Sequence, residues 1–248
     1  MGNVKIVLSD STLFKDCIAT INGLVSEVNI TVDDEGLGII AMDPANVAMC
    51  VFKMNKAEFL EWTVSELTEI GVKLSDLKQI LSRGDKNSTL TLQVIDNKLN
   101  VVMLGKNGKK KEYDLSLVAM DEKKHKMPDL KFTAELVLDN TALKEAIADV
   151  AILAESISFK IADKKFSVAG AGDVNKGKSE VEANVTCETG VAFTSKYSIE
   201  YLDKFTAAKV SKNVKLGFSK DYPSKFTYLN DKGTTSMIFI LAPRIENS

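Results

Sequence analysis

The 248-residue chain repeats its own hydrophobic pattern once, and that repeat constrains the fold more than any other feature. Residues 14–21 (FKDCIATI) carry apolar side chains at helical spacing, with Asp10 and Ser11 ahead of them as cap candidates. Residues 28–32 (VNITV) then alternate like a strand, followed by the acidic turn 33–36 (DDEG) and a second strand over 37–42. The second half opens in the same order. Asn140 stands as a cap before the helical residues 143–150 (LKEAIADV), and strands over 157–161 and 166–168 flank a charged turn. A shift of 129 positions takes Phe14 to Leu143, Ile30 to Phe159, Val32 to Ile161, Leu37 to Phe166 and Ile39 to Val168. Further along, a helix over 74–81 and a strand over 89–94 match a helix over 198–205 and a strand over 214–218. There a shift of 124 takes Leu77 to Tyr201, Leu81 to Phe205 and Leu90 to Val214, so the halves differ by one loop's worth of residues.

Each half therefore reads helix, strands, helix, strands. This predicts an α+β fold of two similar domains, each with two short helices packed on antiparallel sheet. Residues 120–128 (MDEKKHKMP) are almost wholly charged, carry a proline and have no period, as an exposed connector would. The expected division is 1–118 for the first domain, 119–129 for the connector and 130–248 for the second domain. Hydrophobic residues make up 45% of the chain, enough for two real cores. The net charge of -2 and pI near 5.7 exclude a strongly basic nucleic-acid domain, so any such contact rests on local charge placement. No run reaches membrane-spanning length and the first residues lack the apolar core of a signal peptide, so no membrane partner and a cytoplasmic location are expected. Cys17, Cys50 and Cys187 have no metal-ligand spacing and read as free thiols in a reducing compartment.

Residues 172–179 (GDVNKGKS) fit the phosphate-loop pattern letter for letter. That loop holds phosphates only when a helix follows, because the helix N-terminus supplies the N–H groups. Here residues 180–185 (EVEANV) alternate with period two, so a turn between strands is expected and a nucleotide-dependent enzyme is the distant alternative. His125, the only histidine, lies among lysines with no nucleophile or carboxylate set around it, and Asp33, Asp34 and Glu35 read as a strand turn. No constellation supports a catalytic site, a metal or a cofactor. Lys15, Lys78, Arg83, Lys144, Lys204 and Lys209 lie on or just after the four predicted helices, mainly opposite apolar residues such as Phe14, Leu77, Leu143 and Phe205. They are candidate contacts to nucleic-acid phosphates. Asp16, Asp76, Glu145, Asp149, Glu200 and Asp203 share the same helices, so such contact would be loose.

Three stretches carry a family resemblance: residues 240–246 (ILAPRIE), 41–47 (AMDPANV) and the glycine turn 169–173 (AGAGD). With the duplicated halves and the charged connector, the chain resembles DNA sliding clamps of the proliferating-cell-nuclear-antigen type over its whole length, the archaeal ones most closely. The resemblance implies a non-catalytic processivity factor without cofactors. It would be a homotrimeric ring of six domains around double-stranded DNA, or one subunit of a heterotrimeric clamp, in the cytoplasm of an archaeal cell or the nucleus of a eukaryotic one. It places residues 109–118 of one subunit against 176–185 of the next, with Lys110, Tyr113 and Leu115 facing Lys178, Val181 and Ala183. It implies that DNA polymerase, the clamp loader, flap endonuclease and DNA ligase dock by short peptides in a pocket of Met42, Val47, Met127, Pro223, Leu241, Ala242 and Pro243. His125 and Lys126 depart from the more apolar residues such a pocket has at its upper edge. A duplicated scaffold with no nucleic-acid role is the remaining alternative.

Overall fold

A computed structural model of the protein describes residues 3–120, 125–154, 156–172 and 175–245. The middle of the connector, Asp173 in the glycine-bearing loop and Glu246 of the terminal motif lie outside the described residues. The first half runs β1 (Val4–Leu8), α1 (Thr12–Asn22), β2 (Glu27–Val32), β3 (Gly36–Met42), β4 (Ala48–Asn55), β5 (Glu61–Val64), β6 (Thr68–Lys73), α2 (Leu74–Ser82), β7 (Thr89–Ile95), β8 (Lys98–Leu104) and β9 (Lys110–Ser116). The second half repeats that order: β10 (Ala134–Asp139), α3 (Asn140–Ala151), β11 (Ser156–Ala162), β12 (Lys165–Ala171), β13 (Lys176–Val181), β14 (Asn184–Thr186), β15 (Phe193–Ser198), α4 (Ile199–Thr206), β16 (Asn213–Phe218), β17 (Ser224–Leu229) and β18 (Thr235–Leu241).

The duplication extends to individual bonds. Ile30 lies opposite Ile39 and Val32 opposite Leu37 in the β2–β3 hairpin. At the shift of 129, Phe159 lies opposite Val168 and Ile161 opposite Phe166 in β11–β12. The Ser11 N–H donates to the Ser88 carbonyl at 3.0 Å, and its counterpart, the Asn140 N–H, donates to the Lys212 carbonyl at 2.9 Å. A one-residue slip would turn every strand side chain to the wrong face, so register conserved in both halves means the same buried faces in both.

Two compact units emerge, and they exchange short segments. The first comprises Met1–Pro44, Cys50–Met127 and Asn230–Met237; the second comprises Ala45–Met49, Pro128–Leu229 and Ile238–Ser248. They differ from a contiguous division at the connector by those exchanged pieces. In the first unit α1 packs beside α2, burying Phe14, Cys17, Ile18 and Ile21 from one and Leu74, Leu77 and Leu81 from the other. Cys17 and Cys50 are free and buried there, and burial pushes both thiols up from their ordinary pKa. In the second unit α3 packs beside α4 over an aromatic core. Phe159 meets Phe166 edge-on at 5.3 Å, and Phe205 stacks on Phe239 at 4.5 Å. Such ring pairs add to the area that they bury.

Asn140 does not cap α3. The cap is Asp139, whose carboxylate accepts from the N–H groups of Thr141 and Ala142 at 2.7 and 3.1 Å. Asn140 turns inward instead, 8% exposed. Its amide donates to the carbonyls of Thr206 and Ala208 at 2.9 and 3.4 Å, and its side-chain oxygen accepts from the Tyr228 hydroxyl at 2.9 Å. One buried amide thus ties the start of α3 to the end of α4. At the matching place in the first unit, the Ser11 hydroxyl has no partner among the described residues, and Asp10 accepts from the Thr12 N–H at 2.8 Å. Tyr228→Phe leaves the Asn140 oxygen buried without that donor, and should cost about 1–2 kcal/mol. A fall of a few degrees in Tm is the expected reading, and an unchanged Tm would show that the network contributes nothing.

Candidate functional site

The helix pairs present mixed charge. Lys78, Arg83, Lys144 and Lys209 are exposed. Lys15 is not available in the same way. Its Nζ donates to the carbonyls of Gly84 and Asp85 at 3.0 and 3.3 Å, closing the end of α2, and burial lowers its pKa. Lys204 pairs with Glu200 at 2.7 Å one turn away and lies 5.2 Å over the Tyr201 ring. Asp203 is pushed up in pKa by burial, an effect that Lys144 opposes.

The sheets hold the clearest pattern. The strand orders are β5-β1-β7-β8-β9, then β13-β12-β11-β15, then β14-β10-β16-β17-β18-β4-β3-β2-β6. The third is a copy of the first two, joined. Replacing each strand of β5-β1-β7-β8-β9 by its counterpart in the other half gives β14-β10-β16-β17-β18. The same replacement turns β13-β12-β11-β15 into β4-β3-β2-β6. The seam that joins them is the β18–β4 pair, fixed at one end by the Asn55 N–H on the Thr234 carbonyl at 2.8 Å and at the other by the Ala242 N–H on the Val47 carbonyl at 2.9 Å. The counterparts of those two strands are β9 and β13, and each is the open edge of its own sheet. The remaining edges are short or met by other chain. β5 and β14 have four and three residues, the Val118 N–H donates to the Gly71 carbonyl on β6, and the Arg244 N–H donates to the Lys196 carbonyl on β15.

Along these edges several residues are already engaged. Lys110 pairs with Glu112 at 2.6 Å, Lys178 with Glu180 at 2.7 Å, and Lys111 with Asp85 at 3.3 Å while also donating to the Arg83 carbonyl. Leu115 and Val181 are 8% and 7% exposed, so their side chains belong to the core of their own unit and have little left to bury against another subunit. Tyr113 is half-buried and keeps apolar surface for such a contact. Ala183 lies beyond the end of β13 rather than on it, because the chain turns there into β14, which joins the β10 sheet.

The seven pocket residues divide between the units. Val47, Pro223, Leu241, Ala242 and Pro243 belong to the second, Met42 and Met127 to the first. Leu241 is 1% exposed and is a core residue, which corrects its assignment as a binding anchor. Val47, Pro223, Ala242 and Pro243 are half-buried, and the Ala242–Val47 bond holds two of them together. Sequence reasoning missed two aromatic neighbours. Tyr222 directly precedes Pro223 and meets Phe132 edge-on at 6.2 Å; the Phe132 ring lies over Gly217 where a Cβ would overlap it. A separate groove of about 560 Å³ opens in the first unit, lined among others by Thr31, Ile40, Lys53, Glu69, His125 and Lys126. None of the seven pocket residues lines it.

The phosphate-loop pattern does not build a phosphate site of the usual kind. Gly177, Lys178 and Ser179 lie inside β13, and the Gly172 N–H donates to the Asn175 carbonyl. No helix follows to aim its N-terminal N–H groups.

A family model described as the N-terminal domain of proliferating cell nuclear antigen matches residues 4–126. The DNA polymerase sliding clamp of Thermococcus fumicolans is 31% identical over 250 residues, covering 98% of this chain and 99% of that protein. The DNA polymerase sliding clamp of Nanoarchaeum equitans is 30% identical over 250 residues, covering 97% and 99%. Among solved structures, proliferating cellular nuclear antigen from Entamoeba histolytica covers 99% of this chain and 100% of its own with a TM-score of 0.89, at 20% identity, a likeness of fold. The duplicated α+β halves, the sheet order and these full-length relatives agree, and the chain belongs to the proliferating cell nuclear antigen family of DNA polymerase sliding clamps.

Proposed function

We propose that the protein is a non-catalytic processivity factor, a ring of three copies that encircles duplex DNA and tethers a DNA polymerase to it in the cytoplasm. The observation that carries this reading is the pair of open edges. β9 and β13 are counterparts of β18 and β4, which are hydrogen-bonded to each other. Joining β9 of one copy to β13 of the next reproduces that seam between chains. The contact is head-to-tail, so it either closes into a ring or propagates as a filament. Tyr113 is the side chain with apolar surface to lose on β9, while the charge pairs along both edges are exposed and contribute little.

The helix faces fit a ring that slides. α1, at 11 residues, is about 16 Å long. Duplex DNA presents about one charge per 1.7 Å, so such a helix passes about ten phosphates. Sparse lysines and arginines among acids attract the backbone without reading bases. Enclosure, not affinity, then keeps the ring on DNA. Lys78, Arg83, Lys144 and Lys209 make the phosphate contacts, while Lys15 and Lys204 act chiefly on their own units.

Partners, among them the polymerase, the clamp loader, flap endonuclease and DNA ligase, dock beside the connector by a short peptide with a glutamine and a hydrophobic–aromatic anchor. Val47, Pro223, Ala242 and Pro243 with Phe132 and Tyr222 support this on the second unit. Met42 and Met127 are assigned by resemblance to the family. Methionine adapts to varied partner side chains.

Four outcomes test the reading. Tyr113→Asp should give folded monomers by native mass, and an intact trimer would remove β9 from the seam. Protein loaded on linear duplex should stay when both ends are blocked with bound streptavidin and be lost when they are free. Replacing Lys78, Arg83, Lys144 and Lys209 together by alanine should reduce loading without altering sequence preference, whereas tight, sequence-specific binding to a short open duplex would contradict the mechanism. Lys178→Ala should leave retention on DNA unchanged, and equilibrium dialysis with ATP should show no saturable binding in either protein. ATP binding that disappears with Lys178 would revive the enzyme alternative.

A further inference from the structure

Two residues after β9 ends, the chain settles on β6. The Val118 N–H donates to the Gly71 carbonyl at 3.0 Å. Val118 also covers the face of β6 opposite the buried Ile70 and Val72. A Cβ on Gly71 would collide with the Val118 carbonyl oxygen, and the Val118 carbonyl carbon and Asn29 Oδ1 would each be 3.2 Å away. Gly71 has no left-handed backbone to explain it, so what the position requires is space. The second half has the same fastening without the same demand. The Arg244 N–H donates to the Lys196 carbonyl at 2.7 Å, and Lys196 occupies the place of Gly71, lying opposite Ser158 as Gly71 lies opposite Asn29, its counterpart at the shift of 129. The close approach is thus particular to the root of the connector.

Farther along the connector, His125 and Lys126 line the groove of about 560 Å³. Asn29, which lies opposite Gly71 in the β2–β6 pair, lines the same groove, as do Thr31 and Ile40. Root and groove therefore share one face of one sheet. Glycine inside a strand normally weakens it, so an alanine here would stabilise β6 were it not for the collision.

We propose that Gly71 is a positioning residue that seats the root of the connector on β6, and through it sets where His125 and Lys126 lie along this groove and how partner peptides bind beside them. The peptide part of this inference rests on the docking reading given above; the seating of the connector does not. A side chain at position 71 displaces the Val118 carbonyl, the Val118–Gly71 bond opens, and the chain at Val118 lifts from β6.

The test compares full-length wild type, Gly71→Ala, Val118→Pro and Gly38→Ala. Val118→Pro removes the donor N–H and adds nothing to β6. Gly38→Ala is the control, since a Cβ there would meet only the Phe52 carbonyl, at 3.8 Å. Three readouts are taken: native mass, the rate of tryptic cleavage after Lys126, and affinity for a fluorescein-labelled synthetic peptide, Gln-Ala-Ser-Leu-Glu-Ser-Phe-Phe. Gly71→Ala and Val118→Pro should keep the wild-type mass, be cut at least about tenfold faster and bind the peptide at least about fivefold more weakly, as expected for local opening at the Val118–Gly71 bond. Gly38→Ala should match wild type on all three. Wild-type cleavage and affinity in Gly71→Ala would overturn the proposal; should that variant fail to fold, wild-type behaviour of Val118→Pro would do so. If wild type itself binds no peptide, the docking reading fails, and the cleavage rates alone decide whether Gly71 seats the connector.

Discussion

An unpaired strand edge presents a row of N–H and C=O groups that will template another strand, and a stable protein must cover it, shorten it or use it. Most edges in this chain are covered or short: β6 by Val118, β15 by Arg244, β5 and β14 by their length. β9 and β13, at seven and six residues, are neither. Their counterparts β18 and β4 are joined within the chain, so the chain contains its own template for the pairing proposed for β9 and β13 between chains. Assembly by this route needs no special pocket. It needs two matching edges, and a rotation per copy that closes.

Closure into the proposed ring would change what the helix faces are asked to do. A protein that had to hold DNA by affinity would concentrate arginine and lysine. This chain carries a net charge of -2, and Lys15 and Lys204 are tied to their own unit, Lys15 to the carbonyls after α2 and Lys204 to Glu200. In the proposed ring, enclosure removes the need for affinity, and weak, sequence-blind contact becomes an asset because it lets the ring move.

Much of this was legible in the sequence because the repeat is a pattern of buried positions, and burial periodicity is what a sequence records best. The shift of 129 aligned Ile30 with Phe159 and Val32 with Ile161, and the two hairpins share that register. All four expected helices are present: α1 and α3 extend past their expected bounds at both ends, α2 runs one residue longer, and α4 is shifted by one residue. Caps were harder: Asp139 and Asn140 are both good capping types, and only the fold reveals that Asn140 is turned inward toward Tyr228. Resemblance located positions but not exposure, so Leu241, Leu115 and Val181 were assigned to surfaces while the structure buries them. Phe132 and Tyr222 fall outside the periodic segments and gave no signal. Gly71 did give one, since glycine within a strand marks a close backbone approach, but what approaches is the connector, about 50 positions away and without a period of its own.

The central claim is that the β9–β13 seam closes a ring of three. Native mass spectrometry of the wild-type chain tests it most directly. The account predicts a single dominant species of three 27.1 kDa chains. A monomer would mean that the edges do not pair, and an open-ended ladder of masses would mean that they pair without closing; either result would contradict it.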